Sequence, residues 1–122
     1  MPFINWDDIP ANNLAPGIRI RAPYGKNVMM SLLEMEEGSV IPVHHHPHEQ
    51  AGILLEGSME LTIGDESRVV NKGEAYLIPP GVPHRAAPVG GRAVALDIFS
   101  PVREDYVELG NRYIPTEDGQ DQ

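Results

Sequence analysis

An all-β barrel is the fold class this sequence predicts, and two observations carry the prediction. Twelve glycines and twelve prolines are spread along 122 residues, which suits a chain of many turns better than a helical bundle. From Val40 onward, short apolar runs follow one another at regular spacing, each bounded by Gly or Pro. A chain of this length makes one domain with a single core. A formal net charge of -9 argues against nucleic acid or an anionic membrane as partner. The absence of cysteine removes disulfides and thiolate metal sites. No apolar run approaches the roughly 20 residues that a bilayer span needs. The start, Met1-Pro-Phe-Ile-Asn-Trp-Asp-Asp, has no basic region followed by an apolar run. No signal peptide is visible there, so a cytoplasmic location is expected.

Taken in order, residues 1–17 are polar and broken by proline, and are expected to wrap the outside as an extension. Ile18-Arg-Ile-Arg21 alternates apolar and basic, as an edge or early strand does. Residues 26–37 contain no Gly or Pro and are rich in helix formers, so propensity alone favours helix. A strand is expected there instead, because a helix would interrupt a continuous series of β segments. Strands are then expected over 40–46, 50–56, 59–64, 67–71, 75–79, 82–87 and 92–99. Glu56-Gly57-Ser58 and Gly64-Asp65-Glu66 read as hairpin loops, and Val89-Gly90-Gly91-Arg92 as a further turn. Ser100-Pro101 through Gly110 reads as a short helix capped by Ser100, with Pro101 at its first position and acids in its first turn. The single domain is thus expected over 18–110. The acidic tail 111–122 is expected to be partly disordered.

Four of the five histidines fall in His44-His45-His46-Pro-His48-Glu49-Gln50, and the fifth is His84. In an extended strand His44, His46, His48 and Gln50 share parity and point to one face. Neutral imidazoles with an amide or carboxylate oxygen suit a divalent first-row metal, and Ni, Mn, Fe, Co and Zn are all compatible. His45 is expected to face outward. His48 is expected to line the pocket or support a ligand rather than bind as a fifth one. The plain alternative, a solvated structural loop, would suit one histidine better than five gathered at ligand spacing.

The first segment reads G-x5-H-x-H-x3-Q-x6-G across Gly38, His44, His46, Gln50 and Gly57. The second reads G-x5-P-x-G-x2-H across Gly73, Pro79, Gly81 and His84. In order and with a short spacer, these resemble the two cupin motifs. The resemblance implies a double-stranded β-helix, or jelly roll, with one metal ion held by His44, His46, Gln50 and His84. Two positions depart from it: Gln50 stands where most metal cupins carry Glu, and Pro88 replaces a motif-ending Asn. Glu49 has the opposite parity and points away from the histidines. A neutral Gln50 leaves a bound ion its full charge, which favours a Lewis-acid role over stabilising a higher oxidation state.

The last strand carries Ala93, Ala95, Asp97 and Phe99 on one parity, with Val94, Leu96 and Ile98 on the other. That is the pattern of a strand buried on both faces, its small face turned to a cavity. Asp97 must then be paired, hydrated or functional. Its plain role is a salt bridge or a hydrogen bond to a ligand histidine; its functional role is general acid and base. The string Asp97-Ile-Phe99-Ser-Pro-Val-Arg103-Glu-Asp-Tyr, with the histidine segment, resembles small pectin-degradation cupins of the KdgF type. That resemblance implies linearisation of 4,5-unsaturated uronate monosaccharides, with Asp97, Phe99 and Arg103 as the catalytic group and homodimers as the assembly. Arg103 would clamp the substrate carboxylate; its plain role is a surface pair with Glu104 or Asp105. Arg19, Arg21 and Arg92 are further candidate carboxylate partners. Two other functions suit the same scaffold: a non-haem metal dioxygenase, and a non-catalytic sugar- or metabolite-binding cupin.

Overall fold

Buried and exposed side chains alternate along most strands, and the alternation sorts the chain into two sheets around one core. The computed structural model describes residues 3–108. After a 3-10 turn at Trp6–Asp8 come β1 (Asn12–Ala15), β2 (Ile18–Arg21), β3 (Met29–Met35), β4 (Ile41–His44) and β5 (Glu49–Glu56). Then follow β6 (Ser58–Ile63), β7 (Glu66–Asn71), β8 (Ala75–Ile78), β9 (His84–Pro88), β10 (Ala93–Ser100) and the short helix α1 (Glu104–Val107). Six strands form one antiparallel sheet in the order β1-β2-β3-β10-β5-β8, and four form the other in the order β4-β9-β6-β7.

The core lies between the sheets. Ile18, Ile20, Met29, Met35 and Leu54 of the larger sheet meet Met59, Leu61 and Val70 of the smaller. Strand β10 is central, paired with β3 on one side and β5 on the other, so both of its edges are saturated. Its inward residues Ala93, Ala95, Asp97 and Phe99 are all buried, and its outward Leu96 and Ile98 are half-buried. The interior is apolar except where Ser31, His46, His48, Gln50, His84, Asp97 and Arg103 gather as buried polar groups.

Residues 29–35 are a strand despite their helix-forming composition. Met29, Ser31, Leu33 and Met35 are buried in strict alternation, and both neighbours β2 and β10 pair with the segment. Tertiary pairing and two-residue periodicity outweigh a propensity difference of a few tenths of a kcal/mol per residue.

Four local expectations are corrected. Asn12–Ala15, within the stretch expected to wrap the outside, forms an edge strand where no strand was expected: Pro16-Gly17 turns the chain back so that Ala15 faces Ile18, with Gly17 at φ +76°. Two adjacent asparagines, poor strand formers, hide it in the sequence. Glu56-Gly57-Ser58 joins strands in different sheets, so it is a corner rather than a hairpin. Gly57 has φ +76°, and a Cβ there would run into the Arg92 carbonyl oxygen, which explains the glycine better than turn propensity does. Gly64-Asp65 is a true two-residue hairpin, pairing Ile63 with Glu66. The helix begins later than expected: Arg103 is its N-cap residue in an extended conformation with no side-chain cap, while Ser100 Oγ donates to the Asn27 carbonyl at 3.0 Å. The expected helix end at Gly110 and the tail 111–122 lie outside the described residues. Finally, β4 stops at His44 rather than 46, and the chain crosses to the other sheet before β5 starts at Glu49.

Candidate metal centre

The crossover from β4 to β5 builds the site. His44 ends β4 in the smaller sheet, directly opposite His84 at the start of β9. His46 and His48 lie on the crossover, and Gln50 is the second residue of β5 in the larger sheet. His46, His48 and Gln50 are buried while His45, Pro47 and Glu49 are exposed. The expected alternation therefore survives, but a corner produces it, not a continuous strand. His45 faces outward as expected.

Among the described residues, His44, His46 and His84 bring their ligand nitrogens within 4.8 Å of one another. Ion–nitrogen bonds of about 2.1 Å allow donors at most about 4.2 Å apart, so the three rings sit within side-chain adjustment of a common centre. Each ring is oriented by a backbone carbonyl at Nδ1: Pro42 for His44 at 2.9 Å, His48 for His46 at 3.2 Å, and Val82 for His84 at 2.8 Å. A carbonyl only accepts, so each Nδ1 carries the proton and each Nε2 keeps its lone pair. The Nε2 atoms of His46 and His84 and the Oε1 of Gln50 are buried without a hydrogen-bond partner. Burial of acceptors without partners is costly, and a cation among the three imidazoles would satisfy the His46 and His84 nitrogens together. The donor set fits a divalent metal.

Electrostatics favours the same state. Burial pushes the His46 imidazole down to about 4, helped by the nearby Arg103, His84 and His44. Burial also lowers His84, against the pull of the Val82 carbonyl. Both rings are neutral at physiological pH, the form a metal requires. His48 stands apart: its Nε2 lies 3.1 Å from Glu104 Oε1, and its ring is 5.4 Å from that of His46.

Asp97 is 4% exposed, its carboxylate accepts from the Tyr76 hydroxyl at 2.6 Å, and it lines the cavity together with Gln50. Its hydrogen-bond partner is the Tyr76 hydroxyl rather than the ligand histidine of the plain reading. Burial pushes Asp97 up to about 6, opposed by the Tyr76 hydrogen bond, the nearby Gln50 amide and the charge of Arg103. Burial and the Asp97 charge raise Tyr76 far above the usual phenol range, so its hydroxyl stays protonated. Phe99 packs edge-on to His46 and to Tyr106, both at 5.7 Å between centroids.

Arg103 is paired with Asp105, as its plain role anticipated, yet it is buried at 7% exposure rather than on the surface. Nε and Nη2 donate to the two Asp105 oxygens, and the guanidinium lies over the Tyr106 ring at 3.8 Å and the Phe99 ring at 5.0 Å. Arg19, Arg21 and Arg92 do not join the site. All three pair with Glu34 on the outward face of the larger sheet, at 2.8, 3.3 and 2.8 Å. Their strand parity, opposite to that of the core residues, is the physical reason.

A cavity of about 40 Å³ lies between His44, His84, Gln50, Tyr76, Asp97, Phe99 and Arg103. It is sized for an ion and its immediate neighbours. A cleft of about 330 Å³ adjoins it, sharing Ile41, His44, Arg103 and Tyr106 and extending along Leu14, Ile18, Val40 and Pro42. Tyr76 and Gly52 escaped the sequence reading. An inward-facing tyrosine on β8 needs a hydroxyl partner, and a glycine inside a strand marks a close approach; the two signals mark a crowded point without naming Asp97.

Residues 31–99 match the cupin domain family. The chain is 28% identical over 103 residues to the pectin degradation protein KdgF of Dickeya dadantii, covering 83% of this chain and 94% of that protein. The solved structure of KdgF from Halomonas sp. superposes with a TM-score of 0.78 at 28% identity, covering 85% of this chain and 97% of that one. An RmlC-like cupin from Shewanella frigidimarina has a TM-score of 0.80 at 24% identity, over 85% of this chain and 94% of the other, and shares the fold. With two antiparallel sheets, both histidine motifs and a match over more than half its length, this chain belongs to the cupin domain family.

Proposed function

We propose that this protein is a metal-dependent enzyme that opens the ring of 4,5-unsaturated uronate monosaccharides. The observation that supports the reading is that Asp97 and Arg103 line one cavity with His44 and His84, in a chain whose likeness to KdgF spans most of both proteins. The ligands proposed are His44, His46, Gln50 and His84, and the catalytic group is Asp97, Phe99 and Arg103.

Such a substrate is a cyclic enol ether with a free anomeric hydroxyl and a carboxylate. Asp97 accepts the anomeric O–H proton; C1 becomes an aldehyde as its bond to the ring oxygen breaks, and the electron pair leaves on that oxygen as an enolate. Proton return to C4 completes an isomerisation in which nothing is oxidised or reduced. A carboxyl poised near 6 is matched to taking and giving back a proton close to neutrality. When bound, a divalent ion supplies Lewis-acid stabilisation of negative charge that grows on substrate oxygen. Arg103 spends two of its five N–H donors on Asp105 and directs positive charge to the junction of cavity and cleft, where a carboxylate would sit. Phe99 closes the apolar side. The adjoining cleft has the volume for one monosaccharide; the inner cavity does not.

The test is loss of alkene absorbance from unsaturated galacturonate with metal-loaded protein under nitrogen. Loss of signal is the expected result. A flat trace removes the reading, oxygen-dependent consumption moves the protein to the dioxygenases, and sugar binding without turnover makes it a binding cupin.

A further inference from the structure

Three strands that are neighbours in the larger sheet bring Tyr76, Gly52 and Asp97 into one row: Gly52 of β5 pairs with Tyr76 of β8 on one side and with Asp97 of β10 on the other. The tyrosine reaches across the glycine to the carboxylate. A Cβ on Gly52 would collide with Asp97 Oδ1 and with the Tyr76 ring. The slot left by the missing side chain is what lets residues two strands apart meet at 2.6 Å.

The row continues toward the histidines. Asp97 and Gln50 line the same cavity, and the Gln50 amide holds the Asp97 carboxyl down, which only its N–H end can do. That fixes which end of the amide faces which way. The nitrogen faces Asp97, and Oε1 is left buried and without a partner. Rotated by 180°, the amide would set its carbonyl against the carboxylate and turn its N–H groups away from it, which Asp97 forbids electrostatically.

We propose that Tyr76 is a positioning residue of the metal centre: by holding Asp97 across Gly52, it fixes the amide of Gln50 with its oxygen turned to the ion. The proposal rests on the metal reading above but not on the uronate reading, since its test needs no turnover. In this scheme Tyr76 acts on the ligand through Asp97. Residues that orient ligands in this way typically change metal affinity 10- to 100-fold when removed; Tyr76 is one step further out, so a smaller change of about 3- to 10-fold is expected.

The experiment is titration of the metal-stripped full chain with Co²⁺ alone, followed by its visible absorption, for four proteins: wild type, Tyr76→Phe, Asp97→Asn and the double variant. Phenylalanine keeps the ring over Gly52 and removes only the hydroxyl. Tyr76→Phe should weaken Co²⁺ binding by about 3- to 10-fold and alter the spectrum in the wild-type background. In the Asp97→Asn background the same change should have less than about a 2-fold effect, because the connecting group is gone. An equal loss in both backgrounds would mean that Tyr76 acts independently of Asp97, and no loss in either would mean that it does not act on the site; either result overturns the proposal. A wild-type chain that binds no Co²⁺ overturns the metal reading together with it.

Discussion

Gly52→Ala puts one methyl group into the most crowded point of the larger sheet, and the structure decides the sign of its effect. Alanine in a strand normally gains about 0.5–1 kcal/mol over glycine. Here the new Cβ meets Asp97 Oδ1 and the Tyr76 ring, both too close to coexist with it. Neither neighbour can swing away freely: Asp97 is 4% exposed on a strand paired along both edges, and Tyr76 is tied to it by a 2.6 Å hydrogen bond. Overpacking of this kind costs about 1–3 kcal/mol. Parting the hydroxyl from the carboxylate leaves buried polar atoms unpaired, at about 1–3 kcal/mol more. The net expectation is a loss of about 2–4 kcal/mol, or a fall in Tm of about 8–16 °C for a domain of this size. Gly25→Ala is the control: its φ is not positive and its nearest neighbour, the Val28 carbonyl oxygen, is 4.0 Å away, so its Tm should hardly move. Differential scanning calorimetry of both variants tests the comparison. A Gly52→Ala melting within about 2 °C of wild type would refute the close crossing of Tyr76 and Asp97 over β5.

Other outcomes follow from the same geometry. His46→Ala or His84→Ala should each abolish stoichiometric metal binding, read by equilibrium dialysis, while His45→Ala should leave it unchanged because that ring faces outward. Asp97→Asn should reduce uronate turnover at least 100-fold, read by the alkene absorbance; activity within 3-fold of wild type would remove Asp97 from the chemistry. In the metal-free protein, His46 titrates at about 4 when folded and 6.5 when unfolded, so the unfolded chain binds more protons between those values and acidification destabilises. Asp97 works oppositely: at about 6 folded against 3.8 unfolded, it takes up its proton first in the folded state, and acidification below 6 stabilises. Asp97→Asn removes that offset, so between pH 7 and 5 it should lose about 1 kcal/mol more stability than wild type, read by urea melts. A variant with the shallower slope would contradict the sign.

Where the sequence could be read, it was read through spacing. The turn residues and the two-residue period located most strands, because alternation survives whatever a strand pairs with. The histidine motifs were visible for the same reason, although the shared face of His44, His46 and Gln50 comes from a crossover between sheets, which periodicity alone cannot distinguish from a strand. What stayed hidden depends on pairing between distant segments. Nothing local in Glu56-Gly57-Ser58 tells a corner from a hairpin, since both need a positive φ at Gly57. Arg19, Arg21 and Arg92 looked available to an anion until their parity set them on the outer face with Glu34. The Tyr76–Asp97 contact requires the register of three strands, and register is not written in any one of them.

The central claim is that the partnerless nitrogens of His46 and His84 and the oxygen of Gln50 exist to hold a cation, and elemental analysis tests it most directly. Protein purified without chelator should carry one divalent transition-metal ion per chain, and stripping that ion should lower Tm, with recovery on adding it back. Chain that is folded, free of metal as isolated, and unchanged in Tm and spectra across Ni²⁺, Mn²⁺, Fe²⁺, Co²⁺ and Zn²⁺ would contradict the account.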